Sequence, residues 1–197
     1  MNRLLVAVLT LILGATSLFA QQSGWKFDKS HSGLTFSVPH LVISEVTGNF
    51  KDFDVVFSAT KDDFTDATVE ATIKVASINT DSERRDNHLR SDDFFSAEKF
   101  PEIKFKSSSF EKVGENRYRI SGDLTIRDVA KKATLDAVYK GSIKGMGGST
   151  VTSWKATLAI NRFDYGLKWS RTIESGGLVA GDTVTITMNL ELVKPTS

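Results

Sequence analysis

Apolar and polar residues alternate with period two over most of this chain, and that pattern constrains the fold more than any other feature. In Gly33–Val38 the apolar Leu34, Phe36 and Val38 share one face. Thr68–Val75 repeats the pattern, with Glu70 and Lys74 on the wet side. Arg117–Ile126 sustains it for ten residues, and Trp154, Ala156, Leu158 and Ile160 align in the next such run. Thr183–Leu192 is the cleanest, its threonines alternating with branched or long apolar residues that suit a half-buried pleat. Successive strand side chains point to opposite faces, so each run offers one face to a core and the other to water.

Turn signals separate the runs. Lys61–Asp63, Gly114–Asn116, Gly145–Ser149, Gly176–Gly177 and Gly181–Asp182 are the main ones. Short strands at this spacing predict a sandwich or a barrel. A ten-residue strand spans roughly 30 Å, long for a sandwich, and closure removes exposed edges. The expectation is an all-β, eight-stranded antiparallel barrel, forming one domain over residues 21–197.

One stretch departs from alternation. Asn79–Pro101 is polar and charged, and Asp81 or Ser82 could cap a short helix running to about Arg90. Ser91 could start a second, stopped before Pro101. A short helical insertion around residues 81–98 is expected.

The first twenty residues stand apart. Arg3 precedes an apolar run over Leu4–Leu13 and a small-residue stretch ending at Ala20, the order of a secretory signal peptide. The run is too short to span a bilayer about 30 Å thick. The mature chain is therefore expected in a periplasm or outside the cell. Arg3 is the one charged residue there, so the formal net charge of +1 falls to zero without it. A balanced surface argues against nucleic-acid binding, which needs a basic patch. The chain has no cysteine, which removes disulfides, thiol chemistry and a lipid-modified cysteine.

Catalytic signatures are lacking. The glycines at 145, 147 and 148 precede a strand rather than a helix, so they do not form a phosphate loop. Asp28, His31 and Ser32 supply triad residue types, but a triad is a matter of geometry. His31, His40 and His88 have no paired metal-ligand spacing, and neither metal nor cofactor is expected. The dense charges of Asp81, Arg84, Arg85, Asp86 and His88 read either as exposed ion pairs of little energy or as charge-assisted anchors. Anchoring gives a polar segment a reason to order.

Phenylalanine is abundant: thirteen, against three tyrosines. A β-core needs large apolar groups, and an eight-stranded barrel either fills with them or holds one small ligand. Phe94 and Phe95 on a polar insertion fit a lid better than a core.

Trp25–His40, Ile78–Phe95, Lys99–Phe105, Gly122–Ile126 and Asn161–Gly166 together resemble the landmarks of the YceI-like family, over about residues 25–193. After Arg127 that family usually continues with glycine, an aliphatic residue, threonine and a basic residue; here the chain reads Asp128-Val129-Ala130-Lys131, so that turn is expected to differ. The resemblance implies a lipocalin-like barrel that binds a long isoprenoid, a polyprenyl lipid or isoprenoid quinone, in its lumen. On that reading Phe36, Val38, His40, Leu41, Phe50 and Phe57 line the lumen near the N-terminus. Ile73, Leu89, Phe94, Phe95 and Phe105 follow, then Leu124, Leu158 and Phe163. His31, Arg85, Asp86 and His88 form a polar mouth. The expected role is lipid binding, storage or transport, with transient membrane contact and a homodimer as further expectations. A filled barrel serving a stress-related interaction role, or an enzyme on a lipid-like substrate, are the alternatives.

Overall fold

The computed structural model describes residues 24–172 and 176–196, so the expected signal peptide and its cleavage site lie outside the described residues. Eleven strands follow in chain order: β1 Lys26–Phe27, β2 Gly33–His40, β3 Ser44–Phe50, β4 Phe53–Ser58, β5 Thr68–Lys74, β6 Ile78–Asn79, β7 Glu102–Gly114, β8 Arg117–Ile126, β9 Val129–Lys144, β10 Thr150–Asn161 and β11 Thr183–Lys194. Helix α1, Glu83–Arg90, lies between β6 and β7. Every strand pairing is antiparallel, in the order β4-β5-β7-β8-β9-β10-β11-β2-β3-β6.

Eleven strands rather than eight reflect two bends and the short extra strand β1. Asn49 pairs with Asn79 and Phe50 with Ile78, then Phe53 pairs with Ile73. A 3-10 turn at Val75–Ser77 absorbs the extra residues, while the Lys51 N–H donates to the Ser77 carbonyl and the Lys74 N–H to that of Asp52. β3–β4 and β5–β6 are therefore two bent passes. With β2, β7, β8, β9, β10 and β11 they make the eight passes of a curled, lipocalin-like barrel. β2 pairs with β11 over Gly33–Ser37 and with β3 over Thr35–His40. Below that, β1 pairs with β11, and its Phe27 ring packs 5.3 Å from Phe53 of β4.

The lower barrel is a solid aromatic core. Trp154 is 4% exposed, and the rings of Phe64, Tyr118 and Tyr139 lie 5.0–5.1 Å from it, with Phe110 at 5.7 Å and Phe57 at 6.4 Å. Such offset and edge-on pairs add to simple burial. The Tyr118 hydroxyl donates to the Asp63 carbonyl at 3.0 Å, and burial pushes its pKa above the usual tyrosine value.

The insertion holds one helix, not two. α1 ends at Arg90, and Ser91 closes it, its hydroxyl donating to the His88 carbonyl. Residues 91–100 then run in hydrogen-bonded turns, among them Ser96 N–H to the Ser91 carbonyl and Phe100 N–H to that of Ser96. Ser82 occupies the N-cap position without a side-chain capping bond. At the β8–β9 turn the left-handed residue is Arg127 (φ 58°), so Asp128 does not need the conformation a glycine would supply. No helix among the described residues is long and apolar enough to cross a membrane.

Candidate ligand-binding site

Above the aromatic core the barrel is hollow, enclosing a cavity of about 760 Å³. The alternation read in the sequence aims its walls inward. β8 contributes Ile120, Leu124 and Ile126; β10 contributes Ala156, Leu158 and Ile160. At a strand rise of about 3.4 Å, Ile120 and Ile126 lie roughly 20 Å apart along β8. Two glycines make room for phenylalanine on this wall. A Cβ on Gly48 would meet Phe36 Cζ at 2.4 Å, and one on Gly122 would meet Phe105 Cζ at 2.7 Å and the Lys106 carbonyl at 2.3 Å.

Most residues expected in the lumen border it. Phe36, Val38 and His40 do so from β2, Phe50 from β3 and Ile73 from β5. Phe105, Leu124 and Leu158 do so from β7, β8 and β10, and Leu89, Phe94 and Phe95 from the insertion. Leu41, Phe57 and Phe163 do not. Leu41 lies past the end of β2 in an exposed turn. Phe57 belongs to the aromatic core below. At Phe163 alternation has given way to a 3-10 turn, Arg162–Tyr165, which buries Arg162 and Tyr165 and leaves the Phe163 ring 4.3 Å beneath the Arg162 guanidinium.

Two of the four expected mouth residues also sit elsewhere. His31 lies on the outer wall at the filled end, its Nδ1 3.0 Å from Asp28 and 3.8 Å from Glu191. That nitrogen also meets the Ser30 hydroxyl at 3.1 Å. A triad needs one imidazole nitrogen for the acid and the other for the nucleophile, so this group does not form one. Ser32 bridges backbone instead, donating to the Asp28 carbonyl and accepting from the Glu191 N–H. Asp86 is 5% exposed and accepts from the Thr80 N–H (2.9 Å) and hydroxyl (2.6 Å). Arg85 donates to the same Thr80 hydroxyl and carbonyl, so this pair anchors α1 to the end of β6.

Arg85 and His88 border the cavity. His88 Nε2 lies 2.9 Å from Asp93, and its ring meets Phe94 at 5.0 Å and Trp169 at 5.4 Å. Phe94 and Trp169 are themselves 5.4 Å apart. This aromatic roof covers one side of the opening, and Phe95 packs edge-on against Phe50.

Sequence reading missed Arg162 as the organiser of the rim. It is 3% exposed and donates to four backbone carbonyls: Gly181 (2.7 Å), Leu167 (2.5 Å), Trp169 (2.8 Å) and Ala180 (2.9 Å). Burial lowers its pKa from the usual arginine value. Asp164, its near neighbour in sequence, pairs instead with Lys131. Val184, Ile186 and Met188 of β11 also line the cavity, and their alternation was visible; Trp169, in irregular chain, gave no such signal.

A model of the YceI-like domain matches residues 25–192. The chain belongs to the YceI-like family. The Staphylococcus aureus (strain N315) UPF0312 protein SA2479 is 39% identical over 170 residues, which are 86% of this YceI-like chain and 96% of that protein. The YCEI protein of Campylobacter jejuni superposes with a TM-score of 0.70 at 30% identity, covering 97% of this chain and all of that one. BcnA of Burkholderia cenocepacia gives 0.74 at 20% identity over 84% of this chain and 99% of its own, and shows the shared fold. A polyisoprenoid binding domain from Saccharophagus degradans gives 0.61 at 18%, over 87% and 99%.

Proposed function

We propose that this YceI-like protein binds the chain of an amphiphilic isoprenoid lipid, a polyprenyl lipid or isoprenoid quinone, in the upper barrel, and carries or stores it in the periplasm or outside the cell. The observation that carries this reading is the apolar cavity of about 760 Å³ closed at one end by the Trp154 core. It falls within the roughly 300–1,000 Å³ typical of small-molecule pockets. An isoprenoid tail is insoluble in water, and each buried methylene is worth about 0.8 kcal/mol. A blind apolar tube open at a polar rim suits a long tail with a polar head: tail inward, head among Arg85, His88 and Asp93. The polyisoprenoid binding domain sharing the fold makes polyisoprenoids the first ligands to test.

Binding of this kind is non-directional. One methylene more or less changes affinity by about 1–3 kcal/mol, so chain lengths near the optimum are discriminated weakly. Head-group choice falls to the rim. The test is extraction of the purified mature protein with organic solvent, followed by mass spectrometry. A near-stoichiometric prenyl species is expected, and Phe94→Ala with Phe95→Ala should weaken its retention about tenfold or more by opening the roof. A clean extract, even after incubation with membranes, overturns the reading. Turnover of a bound lipid that disappears in His88→Ala would instead mark an enzyme.

A further inference from the structure

The β2–β3 connection is Leu41-Val42-Ile43, three aliphatic residues between paired His40 and Ser44. Their exposures are 37%, 69% and 89%. Leu41 and Val42 also hold φ of 52° and 69°, the left-handed region. A β-branched residue there is an outlier, and tight turns normally use glycine, asparagine or aspartate, which accept that backbone and are at home in water. The loop thus accumulates two costs at the same positions, strained backbone and wetted aliphatic surface, that Asn-Gly would avoid. The other large exposed apolar side chains, Val56, Val113 and Ile143, stand singly on β4, β7 and β9.

The loop stands at the cavity mouth. Val38, Pro39 and His40, which lead into it, line the cavity. The Leu41 N–H donates to the Val179 carbonyl at 3.0 Å, and His40 bridges to Ala180; both partners also border the cavity. Arg84 and Arg171 border the same cavity, are exposed, and have no hydrogen-bonded or ionic side-chain partner among the described residues. Among the described residues, Asp93 is the acidic one bordering the cavity, and it is engaged by His88.

We propose that the Leu41–Ile43 tip, with Arg84 and Arg171, seats the cavity mouth on an anionic lipid bilayer. The inference rests on the reading that the cavity receives a lipid chain. An aliphatic tip enters the headgroup boundary, while arginines meet lipid phosphates with paired hydrogen bonds. Seated this way, the open end faces the bilayer, and a prenyl chain passes between them without crossing water.

The test is flotation with vesicles of pure phosphatidylcholine and of an equimolar phosphatidylglycerol–phosphatidylcholine mixture. The full mature protein should partition onto the mixed vesicles. Val42→Ser with Ile43→Ser should lower that partition about tenfold or more, and Arg84→Ser with Arg171→Ser severalfold, on the anionic vesicles alone. These side chains are exposed, so circular dichroism should stay at wild-type values and the melting temperature should not fall. In parallel, a polyprenol dispersed from ethanol, with no bilayer present, should load wild type and loop variant alike. Failure of the wild type to float, or unchanged flotation of the loop variant, overturns docking while the ethanol loading still tests the cavity. Flotation lost in the loop variant, together with failure to load from ethanol, upholds docking and removes the lipid-chain reading. A dimer that Ile43→Asp dissociates, without flotation, overturns docking in favour of a second copy of this chain on the tip.

Discussion

Between the Trp154 cluster and the roof of Phe94, His88 and Trp169, the same strands change what they place inside the barrel. Along β10 the inward residues run Trp154, Ala156, Leu158, Ile160; along β8 they run Tyr118, Ile120, Gly122, Leu124, Ile126. Both ends are apolar. What differs along these two strands is size: their rings meet across the lower barrel, whereas their alanine, glycine and aliphatic side chains leave open space above it. Strand number sets the diameter, so whether a small barrel is packed or hollow depends on side-chain reach. Hydrophobicity alone builds either.

The largest effect that tests this contrast is expected in the filled end. Trp154→Ala should cost about 3–5 kcal/mol in urea unfolding, because surrounding rings cannot collapse into the space. Leu158→Ala, on the cavity wall, should cost about 2 kcal/mol or less, since this partly buried side chain already faces a void. Equal costs would mean that the two ends are packed alike. Next comes Arg162→Met. It leaves carbonyls of residues 167, 169, 180 and 181 without their donor, and about 3 kcal/mol should be lost. Amide exchange should quicken around those residues and leave the Trp154 cluster protected. Smaller in stability but decisive for the cavity is Ala156→Phe. A ring built from a 7%-exposed wall position into open space should change stability by about 1.5 kcal/mol or less, while prenyl retention falls about tenfold or more.

Much of this was legible in residue order. The period-two runs located β2, β5, β8, β10 and β11 and put Phe36, Leu124 and Leu158 on their apolar faces; that these faces line a lumen came with the family resemblance. Residue type does not give a side chain's height along the barrel, which is why Phe57, expected in the lumen, falls in the filled end. It also fails where strands stop: Leu41 and Phe163 sit one and two residues past β2 and β10, in turns that redirect them. His31 was grouped with the insertion by residue type, whereas topology sends it to the opposite end. Arg162 was invisible as a rim clamp because its partners are carbonyls, which every residue carries.

The smallest expected effect probes whether the two ends are independent. His31 and Asp28 lie on the outer wall beside Glu191, which pairs with Ser153, next to Trp154. The Asp28 hydrogen bond and charge, aided by Glu191, raise the His31 pKa above 6.5. Bonds from Ser30 and then His31 hold Asp28 at about 2, against an ordinary 3.8. His31 therefore binds its proton more tightly when folded, and that contribution is full below pH 6.5 and is lost as pH rises through the raised folded value. Asp28 contributes above pH 3.8 and loses its contribution as pH falls toward 2. Both operate together between pH 3.8 and 6.5, and solvent exposure keeps the gain small. Asp28→Asn should return the His31 titration, followed by NMR, toward its ordinary value and flatten a shallow pH dependence of the melting temperature. Prenyl retention should ignore this titration, because the pair sits on the outer, solvent-exposed face of the wall while the cavity is lined from the inner face. Retention that tracks the protonation of His31 would show that the filled end transmits strain to the hollow one, and the barrel would have to be treated as a single mechanical unit.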